Sequence, residues 1–562
     1  MDTPTTSHHE VVSTTASSFE HSTANSSPEV NVAEIKTPPT VSDGPRSLSD
    51  TQDGDRRPEV IMVTLEPDDP ENISTQLSLA HKWLLAGIVC ATFLQITANS
   101  SAFGNATGPI MKELHCGKVV ASLGISLFIL GLGSGPMLFA PLSEYYGRRP
   151  IYIAGLFLYV IFQLPVCLAP NIQTMLVGRF LSAFFSSSFA AVSGGTITDI
   201  FDKKTEGDML VLAMSTFSIS PFFGPVIGPL ISGFIVQNTK WRWAFWVMMI
   251  WSGVLFAIVI LFSKETYAPV LTERKVRRLR GEREKNLKDH LVSVFSSDPE
   301  KNPSAPVTIN EKTPVYYTCA LMETKKTQSL GKSVMTNCQR PFGLLSRDPM
   351  VLLVCVYSGF LLAIVYGFFV VFPLVFGNIY NFQLQFKGMS FLPLGVGQLT
   401  ATYGSIPLMR YLTKRFNDKE IAKGKPGGAP ELKLIPMMIG CFLCPIGLFW
   451  FGWTCYPSIH WIVPMIGSGF FGAGIVLVFA GTFGFLVDGY RVYAASAMAA
   501  NAFVRSAMAC AFPLFARQMF DNWSYHWATS LLGFVSCIMI PIPFVFYIHG
   551  EKLRAKSPYA WT

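Results

Sequence analysis

From about residue 83 onward, apolar residues run in unbroken stretches instead of recurring along one face of amphipathic elements. These stretches fall at 83–103, 119–141, 151–170, 174–199, 209–236 and 243–263. After a polar interval from 264 to 349 they resume at 350–377, 388–411, 433–454, 460–487, 492–516 and 527–549. A run of roughly 20 apolar residues matches the hydrocarbon thickness of a bilayer. In that medium the backbone must satisfy its own hydrogen bonds, so each run predicts a helix. The pattern predicts an all-α polytopic membrane protein made of two six-helix halves, 81–263 and 350–549, joined by a long cytosolic central loop, 264–349. Residues 1–80 are rich in Ser, Thr, Pro and acidic side chains and lack apolar periodicity, so a disordered cytosolic tail is expected there. A short cytosolic tail, 550–562, is expected at the other end, and no cleavable leader, because the first apolar run opens a full span.

Composition sharpens this. Charged residues make up 14% of the chain and hydrophobic ones 50%, with 45 Phe, where soluble chains carry about 25% charged residues. The net charge of +8 sits in connecting loops: Arg148 and Arg149, Lys203 and Lys204, Arg274 to Arg280, and Arg410, Lys414 and Arg415. If the helices alternate, all of these lie on one side, which places that side and both termini in the cytosol. Orientation therefore accounts for the charge, and a nucleic-acid partner is not expected. The expected partners are a small-molecule substrate, protons and the lipid bilayer, with the chain acting as a monomer. The eleven cysteines have no framework spacing. Cys441 and Cys444 lie in an apolar run and read as packing, and the outward-facing Cys116 and Cys455 as free thiols. Asn105-Ala-Thr and Asn522-Trp-Ser are outward-facing glycosylation candidates close to the membrane, where modification and its absence both remain open.

Polar groups within apolar runs mark candidate chemistry. Arg179 lies inside the fourth span; a guanidinium at membrane depth costs about 2.5–3.5 kcal/mol on insertion scales and reads as functional. Arg505 lies in the eleventh. Gln95, Asn99, Gln163, Tyr366, Asn378, Gln398, Tyr403 and Asn501 are candidates for the substrate cavity, with interhelical hydrogen bonds the expectation for most of them. No Asp or Glu falls in the middle of a span; Glu144, Asp199 and Asp488 sit at cytosolic helix ends. Arg does not release its proton, so either one of these rim carboxylates titrates or coupling is loose. No HExxH, GxSxG, metal cluster or GxxxxGK[ST] phosphate loop occurs, so neither an enzyme nor a cofactor is expected and the proton gradient is the expected energy source.

The loop after the second span reads Ala140-Pro-Leu-Ser-Glu144-Tyr-Tyr-Gly147-Arg148-Arg149-Pro150. It resembles the loop 2–3 signature of the major facilitator superfamily, GxLaDrxGrrx, with Ala140, Glu144 and Tyr145 departing from it. Arg179 matches that superfamily's fourth-helix Arg, which implies a part in proton transfer. Within the fifth span, Gly224-Pro225-Val-Ile-Gly228-Pro229 is similar to the GPxxGG antiporter motif of drug exporters, with Pro229 in place of the last Gly. The run from Lys264 to Arg280, Arg340-Pro-Phe with Asp348-Pro-Met, and Asp488-Gly-Tyr-Arg-Val-Tyr resemble segments of fungal twelve-span drug:proton antiporters. The resemblance covers about 80–562. It implies proton-coupled efflux of small amphipathic compounds (drugs, toxins or a secondary metabolite) across the plasma membrane. A nutrient importer and a non-transporting sensor of the same fold are the alternatives.

Overall fold

The structure is a computed structural model that describes residues 60–66, 69–201, 205–296, 316–327, 330–422 and 429–560. Most of the expected tail (1–59), Lys203 and Lys204, and 297–315 of the expected central loop lie outside the described residues.

Six long helices form the first half: α1 (Leu79–Glu113), α2 (Lys118–Tyr146), α3 (Arg148–Cys167), α4 (Ile172–Ile200), α5 (Gly207–Asn238) and α6 (Arg242–Phe262). The described residues of the central segment include two longer helices, α7 (Ala268–Ser296) and α8 (Leu330–Arg347), with a short one, Ala320–Thr327, between them. The second half is α9 (Pro349–Asn378), α10 (Leu392–Ala422), α11 (Pro430–Thr454), α12 (Ile462–Gly489), α13 (Ala494–Asn522) and α14 (Tyr525–Arg554). Among the described residues, 11 helices are long and apolar enough to cross a membrane. The twelfth expected span, α10, falls short on apolarity because Gln398, Thr400, Thr402, Tyr403 and Ser405 interrupt it. It is nonetheless packed into the bundle: a side chain at Gly397 would meet the Gly469 carbonyl oxygen of α12 at 1.9 Å.

Small residues set how closely helices approach. A Cβ at Gly224 of α5 would lie 2.7 Å from the Leu94 carbonyl oxygen of α1, and one at Gly228 would lie 2.2 Å from that of Ala98. Pro221, Pro225 and Pro229 lie within the same helix. Proline lacks a backbone donor, so α5 is weakened along the face where α1 presses against it. The expected first span ends at 103, whereas α1 runs on to Glu113. Its polar residues Asn99, Ser100, Ser101 and Asn105 are buried inside the bundle, where hydropathy alone does not place them.

The described parts of the long central loop carry local structure, and the end of the expected tail packs against them. The i,i+4 pairs Glu273–Arg277, Glu284–Lys288 and Arg278–Glu282 support α7. Strand β1 (Val60–Met62) pairs in parallel with β2 (Tyr316–Thr318), Val60 opposite Tyr316. Beside them Lys275 holds Asp69 at 2.7 Å and Arg278 holds Glu71 at 3.1 Å. The acidic residues that marked the tail as unable to fold alone are thus ligands for the basic helix α7. The C-terminal segment is likewise anchored: Arg554 pairs with Glu431 at 2.8 Å, and Ser557 donates to Asp348.

Candidate functional site

Within the first half a chain of buried polar groups converges on Arg179, which is 1% exposed. Its Nε donates to the Gly124 carbonyl at 3.2 Å, Nη1 to the Asn99 carbonyl and Oδ1 at 3.1 and 3.2 Å, and Nη2 to the Ser100 carbonyl at 3.1 Å. The guanidinium lies 4.2 Å from the centre of the Phe128 ring and 5.1 Å from that of Phe103. These contacts come from α1 and α2, so Arg179 is held in the bundle interior and does not reach toward an interface. Asn99 in turn donates to Tyr159 and to Gln163, and Gln163 donates to Ser252 at 2.8 Å. Tyr159 donates to Gln95, whose amide nitrogen donates to the Met248 carbonyl at 2.9 Å. Gln95, Asn99 and Gln163 are therefore one network across α1, α3 and α6. Tyr159 and Ser252 belong to it but look like ordinary members of apolar runs; the missing signal was that a buried hydroxyl needs a partner.

The network reaches the second half through one contact. Ser100 Oγ and Tyr366 Oη of α9 lie 3.1 Å apart, both buried. The halves also meet at both ends of the bundle. At the end with the basic loops, Arg410 pairs with Asp208 at 3.0 Å, and Cys338 of the central segment donates to the Met137 carbonyl of the first half. At the opposite end, Ser126 donates to the Cys510 carbonyl at 2.6 Å and the Leu384 amide to Gln237 at 3.3 Å. The space lined by Asn99, Gln163, Arg179, Ser182 and Phe245 has no room left for a water-sized guest. This is a closed arrangement, contacted at both mouths. A groove of about 630 Å³ on the outside of α11 and α14, lined by Phe442, Trp450 and Trp453, suits acyl chains and lies away from this polar network.

The remaining cavity candidates separate. Gln398 is fully buried with neither amide atom partnered, and Asn501 donates to Ser358 at 2.7 Å. Asn378 is exposed at the end of α9, bonded to Tyr525, and does not face the interior. Tyr403 is 39% exposed and reaches across to Thr216. Both were candidates because they interrupt apolar runs, and both make interhelical hydrogen bonds, the other expectation for them. Asn105 is 5% exposed and its amide nitrogen is bonded to the Pro229 carbonyl and Ser232, so it is not available to carry a glycan. Asn522 is exposed at the last turn of α13.

At the end with the basic loops, the turn between α2 and α3 is locked by two carboxylates. Gly147 has φ 99°, which favours glycine, and a side chain there would meet Glu265 Oε2 at 2.5 Å. Glu265 accepts from the Arg148 and Arg149 amides at 2.9 and 3.1 Å, neutralising the positive end of α3. Arg148 donates to Asp199 at 2.7 Å and lies 5.2 Å from the Tyr267 ring centre. Burial, with Glu144 and Asp199 nearby, pushes the Tyr267 hydroxyl up to about 12, so it stays protonated. Glu265 escaped notice in the sequence because it lies among the basic residues that open the central segment. Glu144 is exposed and, among the described residues, has no ion pair; Asp488 pairs with Lys433 of its own half at 3.6 Å.

Known proteins agree with this architecture. Residues 88–513 match the model of the Major Facilitator Superfamily. A Saccharomyces cerevisiae protein named "Probable drug/proton antiporter YHK8" is 38% identical over 501 residues, covering 89% of this chain and 90% of that one. The Aspergillus terreus protein named "Efflux pump atB" is 36% identical over 519 residues, covering 92% and 94%. The E. coli xylose transporter XylE, in a partially occluded inward-open conformation, shares the fold with a TM-score of 0.55 over 84% of this chain and 98% of its own, at 12% identity. Two six-helix halves closed around a buried arginine network, matched by the family model over most of the chain, make this protein a member of the major facilitator superfamily.

Proposed function

We propose that this protein is a proton-coupled exporter of small amphipathic compounds, working by alternating access as a monomer in the plasma membrane with both termini in the cytosol. The observation that carries the reading is the seam between α5 and α1. There Gly224 and Gly228 bring the helices into backbone contact and three prolines leave α5 weakened. It joins the antiporter resemblance to relatives named as an antiporter and an efflux pump that align over about nine-tenths of the chain. In this reading α5 slides or flexes against α1 as the mouths exchange, and the closed arrangement is the intermediate between them. Arg179 keeps its proton and fixes the fold of the first half around the moving seam. The titrating groups are the carboxylates at the cytosolic helix ends: Asp199 in its pair with Arg148, Glu144, and Asp488. Protonating Asp199 removes one side of that pair and loosens the turn that Glu265 caps. Asn522 is the glycan acceptor that remains on the outer face.

The test is accumulation of a labelled compound panel in cells with and without the protein. Export is expected to stop within minutes of adding a protonophore while ATP is held constant. Uphill export that persists without a proton gradient would overturn the coupling, and equal accumulation of every compound in both cell lines would overturn efflux itself.

A further inference from the structure

The two guanidiniums in the membrane interior have unequal surroundings. Every nitrogen of Arg179 has an acceptor. Arg505 of α13 has a buried Nε with no partner and, among the described residues, no hydrogen bond or ion pair. What it does have is an aromatic wall: its guanidinium lies 5.4 Å from the Phe479 ring centre and 5.6 Å from that of Phe483. Asn501, one turn earlier and so on the same helix face, is 1% exposed and leaves its Oδ1 unpartnered. This seat opens on the boundary between the halves. Phe479 packs edge-on to Phe222 of α5 with centroids 4.7 Å apart. Tyr366 of α9 is bonded to Ser100 of α1 across the same boundary.

A cation drawn out of water without a counter-charge is costly, by several kcal/mol even after the surroundings relax. The carboxylates of the spans lie toward helix ends, Glu113, Glu144, Asp199, Asp208, Glu431, Asp488, Asp521 and Glu551 among them, and among the described residues none pairs with Arg505. The structure instead sets an unneutralised planar cation against two phenyl faces, at the boundary where the halves meet. We propose that the exported compounds are planar organic acids, bound with the carboxylate on the Arg505 guanidinium and the ring system against Phe479 and Phe483. This rests on the efflux reading and narrows its substrate class. The guanidinium fork matches a carboxylate with two parallel hydrogen bonds, and the unpartnered Oδ1 of Asn501, an acceptor, would take a hydroxyl or N–H donor elsewhere on the compound. An ammonium in the same seat would be repelled, and a neutral amide would leave the cation unneutralised.

The test measures binding of three probes to the purified full-length protein in lipid nanodiscs: 2-naphthoate, 2-naphthamide and 2-(aminomethyl)naphthalene. The wild type is expected to bind the carboxylate about tenfold or more tighter than the amide, and the ammonium weakest. Arg505→Gln is expected to bring the carboxylate-to-amide ratio to about one. Arg505→Lys, which keeps the charge and loses the planar fork, is expected to lower it at least about threefold. If the Gln variant does not elute as a monodisperse protein, the Lys variant decides, and an unchanged ratio there overturns the proposal. So does equal binding of the three probes by the wild type, failure to bind naphthoate, or a preference that survives Arg505→Gln. The cell-based panel is judged separately: gradient-driven export of neutral or cationic compounds alone would leave the efflux reading standing and remove this one.

Discussion

Arg179 shows how much of a site a single residue can announce. Its position in an apolar run was enough to mark it, because a guanidinium at that depth is expensive unless it is fully bonded. The identity of its partners was not legible, since backbone carbonyls carry no sequence signature and the Gly124, Asn99 and Ser100 carbonyls supply most of the acceptors. Removing the side chain strands those buried oxygens together with Asn99. Arg179→Ala is therefore expected to lower export below about a tenth of wild type, hydrogen bonds to a charged group being worth about 1.5–3 kcal/mol each. Arg179→Lys is expected to recover little, because one ammonium cannot address acceptors on both α1 and α2 as a fork does. Wild-type export by the Ala variant, measured at equal surface expression, would remove the residue from the mechanism.

At the level of elements, α5 and α7 illustrate opposite fates for the same kind of reading. Glycine and proline spacing on α5 marked a helix built for close approach, and the approach is there: α1 backbone oxygens lie where a Cβ at either glycine would have to go. Gly228→Ala is expected to push the helices apart and cost about 1–3 kcal/mol, the usual range for overpacking. That loss should be read as a lower melting temperature of the purified protein together with lost export. Gly253→Ala on α6, where nothing lies within 4 Å, is the control expected to change neither. In α7 the charge run was legible but its partners were not, since they stand some 200 residues away in the pre-membrane segment. Lys275, hydrogen-bonded to Asp69 and assisted by the Glu66 amide, holds the Asp69 carboxyl below the usual range. A carboxylate with a lowered folded-state value stabilises above the ordinary value and loses that contribution as pH falls through the lowered one. Spin labels at positions 61 and 317 should therefore keep one short distance from pH 8 to about 5 and spread only below about pH 4. Spreading near neutrality would show that the Asp69–Lys275 pair does not hold the segment.

For the molecule as a whole, the two-half plan was legible because the bilayer forces it: long apolar runs have few other fates, and a polar interval between two sets of six divides them. The closed arrangement was not legible. It depends on pairings between the halves, such as Ser126 with Cys510 and Arg410 with Asp208, that join positions with nothing in common but their height in the bundle. The extra order at the end with the basic loops escaped for the same reason, and it has a consequence for how the chain is made. Val60 meets Tyr316 only after the whole first half has left the ribosome. At about 5–20 residues per second, the interval between the two is roughly 10–50 s. Through that time β1 has no partner strand, and α1 to α6 must enter the membrane without it. When Tyr316–Thr318 emerges the pairing can close, with the first half already outside the ribosome and α9 not yet emerged. The strand pair therefore records insertion: it forms only when the segments before α1 and after α6 lie on the same side of the membrane.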